Sequence, residues 1–555
     1  MFFRTILKSL AILILLLAGT QWVTTGSVPV ALSAPDEWLT KVEKQVLEAI
    51  QANDTADLVV QFTGRVDLAG AEGMDWQKRG EWVYTTLQAF AEESQDRAIA
   101  ELEQRGIRFY SSFGGNRLFV WSAEMDTIAW LAQLPEVESI RSPRSYSLNQ
   151  FVEEKVRTLP AGALNILAAG FLTIVREAGT QDMSWAVTDT KADQFWDTFG
   201  IQGEGIVVAG IDTGVQYDHP ALDQAYKCKD DPGNEACWYD PYNACAGAPC
   251  DTQGHGTAMM GAVVADDDPT LPFEVGMAPG AEWIACLGCN GGACDEYGLT
   301  ACVEWALAPG GDPANRPEVV NNPWGGSGCD GWFVPYLYAW QASGIAAVFP
   351  PGSNGPMCNT LGSPGDYQEV FAAGAYDSTR VIAVFSSRGP SCYGHDPFTK
   401  PNMSAPGVDL YLPIPENDWT NYSGTSISSS YGAGGLVLLL SCNPDLIGTP
   451  GDLFAALQNA ADAPPEGNCG VPEDGEGNYT YGYGYINMLE AGVQNCDDLV
   501  GVLEGHVTET WMGVPLEGAT VLISQTLVTL TDPNGYYSFT LPVGVYTVTA
   551  ELDGY

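Results

Sequence analysis

Three residues far apart in this sequence carry side chains that together could break an amide bond: Asp212, His255 and Ser426. A serine hydroxyl becomes a nucleophile when an imidazole takes its proton. The imidazole does so when a carboxylate holds it in the right tautomer. Ser426 lies in residues 421–441, N-Y-S-G-T-S-I-S-S-S-Y-G-A-G-G-L-V-L-L-L-S, where a polar loop meets an apolar run. The pattern predicts a loop feeding a buried helix, with Ser426 in the first turn. Unpaired backbone N–H groups and the positive end of the helix dipole meet there, which suits a hydroxyl whose attack creates an oxyanion. The plain alternative is a Ser or Thr that only caps a helix.

The two partners need elements that end at the same place. Residues 206–212, I-V-V-A-G-I-D, form an apolar run closed by an acid and followed by Thr213-Gly214. That predicts a buried parallel strand with Asp212 at its carboxyl end, where open α/β sheets place their sites. Gly254-His255-Gly256-Thr257, followed by A-M-M-G-A-V-V-A, predicts a histidine opening an apolar helix. The chain order is Asp, His, Ser, one of the orders in which such a triad occurs and the one used by subtilisin.

The motifs D-T-G at Asp212, G-H-G-T around His255, S-A-P-G at 404–407 and G-T-S ending at Ser426 together resemble the subtilisin-like serine peptidases, or subtilases. F-S-S-R-G-P-S (385–391), I-A-C-L-G-C (284–289) and V-E-W-A-L-A-P (303–309) resemble the bacillopeptidase F branch. The resemblance covers roughly residues 185–490. It implies an α/β fold, the subtilisin-like three-layer αβα architecture around a parallel sheet. It also implies a serine endopeptidase in which Asp212 orients His255, and His255 takes the proton of Ser426. An extended groove that pairs with the substrate backbone is implied as well, with Trp324, Gly325 and Gly326 as substrate-binding candidates. The expected partners are protein or peptide substrates. No cofactor is required. Subtilases often bind calcium, and the acidic run Asp266-Asp267-Asp268 is either such a ligand source or a solvated loop; no ligands are assigned.

The sequence departs from the family pattern near the site. In Gly352-Ser353-Asn354-Gly355-Pro356 a serine, Ser353, stands where subtilases usually place the oxyanion-hole Asn. Losing one such donor costs roughly 3–4 kcal/mol. Asn354 is one residue late and reaches the same place only if the loop shifts. Ala258 replaces a usual second His, and Pro323 replaces a usual Ser, removing a backbone N–H. After Ser426, Ser430 stands for Pro and Gly432 for Val. Gly432, Gly434 and Gly435 each weaken a helix by about 1 kcal/mol relative to Ala. Two readings follow: an endopeptidase with its three chemical residues in place, and a degenerate subtilase that binds peptides with little or no turnover. A non-enzymatic adhesive protein built on the C-terminal module is a third.

Composition narrows the setting. Of 555 residues, 69 are Asp or Glu and 23 are Lys or Arg, a net charge of −46, and none of the basic residues follows Lys400. Nucleic acid and anionic membrane surfaces are poor partners for such a chain. All 14 cysteines fall between Cys228 and Cys496. An even count in one block predicts disulfides and an extracellular location. Cys286 and Cys289 have C-x-x-C spacing, but no second pair or nearby His completes a metal site, so structural bridges are expected. The pairing is not legible from spacing.

Residues 1–34 read as a signal peptide: Arg4 and Lys8, an apolar run at 10–18, and small residues at 31–33. After its removal no membrane attachment is expected. Residues 35–148 show strand and helix patterns in β-α-β-β-α-β order, a ferredoxin-like α+β arrangement. Ahead of a subtilase it resembles the inhibitory propeptide, the chain's own partner in cis. Residues 149–184 are a connector, 185–496 the peptidase domain. Residues 497–555 are short strands and turns that read as a small β-sandwich resembling the carboxypeptidase-regulatory-like modules, stopping where such modules usually continue.

Overall fold

The strand that ends in Asp212 sits at the centre of a five-stranded sheet. The computed structural model describes residues 37–148, 182–266, 273–392, 398–472, 476–496 and, in the C-terminal module, 500–509, 513–523, 528–542 and 546–552. The strands run Ala346–Val348, Val319–Asn321, Val207–Asp212, Glu282–Leu287 and Trp238–Tyr239, all parallel. All six residues of Val207–Asp212 are buried. This is why the strand reads as an unbroken apolar run, since both faces of a parallel sheet are covered. Helices Glu296–Leu307, Val334–Ser343 and Pro450–Asn459 follow strands or flank the core, so the architecture is α/β.

The helix Thr425–Cys442 runs through the core, and each of its residues from Thr425 to Leu440 is buried. Its glycines have a packing reason. A Cβ on Gly434 would come within 2.4 Å of the Met277 Cβ, and one on Gly432 within 2.8 Å of the Phe371 ring. The helix gives up intrinsic propensity for close approach to its neighbours. Residues 381–385, V-I-A-V-F, are β-rich in composition yet form no strand, only an isolated bridge from Ile382 to Tyr376. Their backbone serves the turn after Ala373–Tyr376, which overrides their β-branched character.

Residues 37–148 contain the β-α-β-β-α-β order, with an additional first helix, Lys44–Asn53, that periodicity did not reveal. Their antiparallel sheet runs Phe109–Ser112, Arg117–Ala123, Ala56–Phe62, Val137–Arg141. Leu58, Val60, Phe62, Leu118, Ile128 and Leu131 fill a core of its own. The long helix begins at Trp76, capped by Asp75, whose carboxylate accepts from the Lys78 N–H at 3.0 Å.

This region is docked on the α/β core by charged and polar side chains. Arg79 donates to the carbonyls of Gln341, Ala342 and Gly448, occupying the C-terminal end of helix Val334–Ser343. Arg316 lies over the Trp76 ring at 3.6 Å and donates to the Trp76 carbonyl. A Cβ on Gly80 would strike the Arg316 guanidinium at 2.3 Å, so only glycine leaves room for it in that helix. Burial lowers the Arg316 pKa to about 10. Glu304 accepts from the Tyr110 hydroxyl at 2.7 Å, the Ser112 hydroxyl at 2.7 Å and the Gly114 N–H at 2.6 Å. Glu296 pairs with Arg141, and Arg117 lies 3.6 Å away.

Seven disulfides join Cys228–Cys237, Cys245–Cys250, Cys286–Cys302, Cys289–Cys294, Cys329–Cys392, Cys358–Cys469 and Cys442–Cys496. The C-x-x-C cysteines thus bond to separate partners. In the C-terminal module Val500–His506 pairs with Tyr536–Pro542, and Thr520–Leu522 pairs with both Val528–Leu530 and Thr549–Glu551. Among the described residues no helix is long and apolar enough to cross a membrane. The signal-peptide reading at 1–34, most of the connector, and Asp267 and Asp268 lie outside the described residues.

Candidate active site

Each of the three chemical residues sits where an element begins or ends. Asp212 is the last residue of its strand, His255 the first of helix His255–Val264, and Ser426 the second of helix Thr425–Cys442. His255 Nδ1 lies 2.7 Å from Asp212 Oδ2 and 2.9 Å from Oδ1. Beside a carboxylate, Nδ1 carries the proton and donates it, which leaves the Nε2 lone pair free to act as a base. Burial depresses the His255 pKa, but the Asp212 charge and hydrogen bond outweigh it and hold the imidazole above its ordinary 6.5.

The Ser426 hydroxyl donates to the Pro323 carbonyl at 2.9 Å. Pro323 follows strand Val319–Asn321, the immediate neighbour of the Asp212 strand. A second tie fixes the same turn: the Asn321 side-chain amide donates to Ser430 Oγ at 2.9 Å, and Ser430 Oγ donates to the Ser426 carbonyl at 2.8 Å. The serine found in place of the usual Pro therefore links the helix that carries Ser426 to the sheet. The structure brings Asp212 and His255 into direct contact and anchors Ser426 to the loop of the adjoining strand.

Asp251, which the sequence reading passed over, binds the other two segments together. Its Oδ1 accepts from the Thr213 hydroxyl at 2.7 Å and from the Gln253 and Gly254 N–H groups at 2.9 and 2.7 Å. Its Oδ2 accepts from the Thr257 N–H and hydroxyl at 2.8 and 2.7 Å. Thr213 Oγ1 in turn accepts from the Gly256 N–H at 2.9 Å. Burial pushes the Asp251 carboxyl up, and these donors pull it back. The signal was present as an acid four residues before His255 in D-T-Q-G-H. Gly256 is required by proximity: a Cβ there would sit 2.0 Å from the Gly214 carbonyl oxygen.

Ser353 is buried, and its hydroxyl is within 3.0 Å of the Thr425 hydroxyl, one residue before Ser426. Asn354 is exposed, and its N–H donates to Ser387 Oγ at 3.0 Å. Trp324 is fully buried between the Phe333 and Phe349 rings, with centroids 5.3 and 5.1 Å away, so its side chain is a packing residue. Gly326 lies against Tyr146, where an added Cβ would meet the ring at 2.5 Å. That tyrosine belongs to Ser145–Ser147, which pairs antiparallel with the short strand Ala293–Asp295. Of the other histidines, His219 Nδ1 accepts from the Ala221 N–H at 3.2 Å and His506 Nδ1 lies 3.1 Å from the Asn534 carbonyl; His395 lies outside the described residues. Among the described residues no group of three or more His, Cys, Asp or Glu forms a metal site.

The Subtilase family profile matches residues 203–485, and the Carboxypeptidase regulatory-like domain profile matches 502–555. Bacillopeptidase F of Bacillus subtilis (strain 168) is 29% identical over 529 residues, which cover 88% of this chain and 34% of that protein. Subtilisin DY of Bacillus licheniformis is 31% identical over 269 residues, 48% of this chain and 87% of that protein. Serine protease AprX of Bacillus subtilis (strain 168) is 30% identical over 292 residues, 47% of this chain and 62% of that protein. The chain thus spans about a third of bacillopeptidase F, and the match to subtilisin DY covers most of that protein. A parallel sheet ending in Asp212, a His255 held by it, and a family match over half the sequence lead to one conclusion: the chain belongs to the subtilase family of subtilisin-like serine peptidases.

Proposed function

We propose that the protein is a secreted serine endopeptidase made as a zymogen, with Asp212, His255 and Ser426 as its triad. The observation that carries this is the 2.7 Å contact of His255 Nδ1 with Asp212, which leaves Nε2 as the base for a serine at a helix start. Ser426 Oγ attacks the substrate carbonyl as His255 Nε2 takes its proton. The same proton goes to the leaving amine as the C–N bond breaks, leaving an acyl-enzyme that water hydrolyses by the reverse sequence. The oxyanion would rest against the Ser426 backbone N–H and the Ser353 hydroxyl. Purified secreted protein should hydrolyse casein; material that is folded, freed of its N-terminal region and inert towards casein would remove the reading.

In this reading residues 35–148 are a ferredoxin-like inhibitory propeptide. Support comes from the docked position of residues 145–147 along the short strand Ala293–Asp295 beside Gly326, where an extended substrate would lie. Seven disulfides fit an extracellular protein, and the tail fits a small β-sandwich. Substrates are proteins or peptides. Nucleic acid and, after signal cleavage, membrane are not partners.

Two pH effects follow. Hydrolysis needs neutral His255, and its pKa is held above 6.5, so kcat/KM should rise with pH through a limb centred above 6.5. A limb centred below pH 6 at constant ionic strength would contradict the Asp212 contact. The second concerns docking. Burial pushes the Glu304 carboxyl up from 4.5 to about 7, against the pull of Ser112, Tyr110 and Gly114. Docked, Glu304 keeps a proton that the freed side chain releases between about pH 4.5 and 7. Docking is therefore strongest below that window and weakens by up to about 3 kcal/mol as pH rises through it. In a Ser426→Ala protein, limited proteolysis should strip the N-terminal region faster at pH 8 than at pH 5. Glu304→Gln, which does not titrate, should flatten that difference, and equal rates in the parent protein would overturn the assignment.

A further inference from the structure

The docked segment shows what chemistry the groove can read. The ladder of Ser145–Ser147 with Ala293–Asp295 continues upstream: the Glu296 N–H donates to the Arg144 carbonyl at 3.0 Å, and the Arg144 N–H donates to Glu296 Oε2 at 3.0 Å. In an extended chain residues i and i+2 project to the same side. Arg144 and Tyr146 accordingly reach the same group. The Arg144 guanidinium pairs with Asp330 Oδ1, and the Tyr146 hydroxyl donates to Asp330 Oδ2 at 3.3 Å. The Tyr146 ring stacks on Trp332, with centroids 5.2 Å apart and planes 18° from parallel, and lies over Gly326. Asp330 is fixed in place. Its N–H donates to Ser363 Oγ at 3.0 Å, its Oδ1 accepts from the Trp332 N–H at 3.3 Å, and its neighbour Cys329 is bonded to Cys392.

We propose that Asp330 is a specificity determinant, selecting peptides that carry a basic residue two positions before the aromatic residue seated on Trp332 and Gly326. This rests on the reading of the groove as the substrate site and names the substrate class it takes. In the intact chain, the form used in the test below, Arg141 and Arg117 engage Glu296, and Asp330 is the carboxylate at hand for a cation at that position. The pair is partly exposed, 39% for Arg144 and 27% for Asp330, which sets an expected discrimination of about fivefold.

The test uses the full chain carrying Arg144→Ser and Tyr146→Gly, which removes the side chains that hold its own segment to Asp330 and Trp332. Two labelled hexapeptides of identical composition and charge, Pro-Arg-Ser-Tyr-Ser-Leu and Pro-Ser-Arg-Tyr-Ser-Leu, are titrated by fluorescence anisotropy. The isomer pair cancels attraction by the acidic surface as a whole. The first peptide should bind about fivefold tighter, and Asp330→Asn should erase the difference. Equal affinities, a difference that survives Asp330→Asn, or no saturable binding would overturn the proposal. Binding does not use the Ser426 hydroxyl. A protein with this preference that hydrolyses nothing would keep the specificity and lose the peptidase reading, and casein hydrolysis without isomer preference would do the reverse.

Discussion

Ser426→Ala and His255→Ala are each expected to lower kcat for peptide hydrolysis by about 10⁶-fold, and the double variant by little more. In the proposed triad the three groups would work as one unit, because a serine without its base is no better a nucleophile than water and a base without its serine has nothing to activate. Asp212→Asn should cost less, about 10⁴-fold. Its amide can leave the imidazole in the wrong tautomer, with Nδ1 stripped of its proton and Nε2 blocked as a base. Stability should hardly change for Ser426→Ala, since the hydroxyl makes one hydrogen bond, to the Pro323 carbonyl, and the site is otherwise held by Ser430, Asn321 and Asp251. Comparable losses for the single and double variants with intact melting temperature support the unit. Losses that multiply would mean that the residues act separately.

The second large effect concerns the oxyanion. Ser353→Asn should raise kcat by about 10²-fold, because it restores a side-chain amide where subtilases usually carry one, and such a donor is worth roughly 3–4 kcal/mol in the transition state. The present hydroxyl is shorter and already within 3.0 Å of Thr425 Oγ1, so it offers the developing charge less than an Asn would. KM should change little, since the donor acts on charge that appears only after attack. Ser353 is buried, so the larger side chain must displace a neighbour, and a melting curve must accompany the rates. An increase in kcat identifies Ser353 as the weak half of the oxyanion hole. An unchanged kcat in a stably folded variant would place the second donor elsewhere.

The sequence was most informative where periodicity and chemistry coincide. Val207–Asp212 is apolar because it is central, and it ends in an acid because parallel strands deliver their functional side chains at the carboxyl end. The G-H-G-T stretch declares a helix start, and the structure puts His255 at its first residue. The β-α-β-β-α-β order of residues 56–141 was legible for the same reason, as local alternation and helical spacing. What could not be read depends on contacts between segments distant in sequence. Asp251 binds Thr213 and Thr257 at once; its place four residues before His255 is visible in the sequence, but its bond to Thr213, 38 residues away, is not. Pairings such as Cys329–Cys392 and Cys358–Cys469, 63 and 111 residues apart, depend on how the fold brings loops together, and the seat of Arg316 opposite Gly80 and the cluster of donors on Glu304 are products of docking. The glycines of helix Thr425–Cys442, read from propensity as weak points, are where Met277 and Phe371 come closest. The β-rich run 381–385 forms no strand because a turn claims that backbone.

One measurement bears most directly on the claim that Ser426 is a working nucleophile beside His255. A fluorophosphonate probe reacts with a serine only when a base removes its proton and an oxyanion site accepts the phosphoryl oxygen. Secreted protein freed of its N-terminal region should take up one label, mapped by peptide mass to Ser426, with the rate rising above pH 6.5 as His255 loses its proton. Labelling of another serine, or a folded protein with an open groove that takes no label while added subtilisin is fully modified, would contradict it.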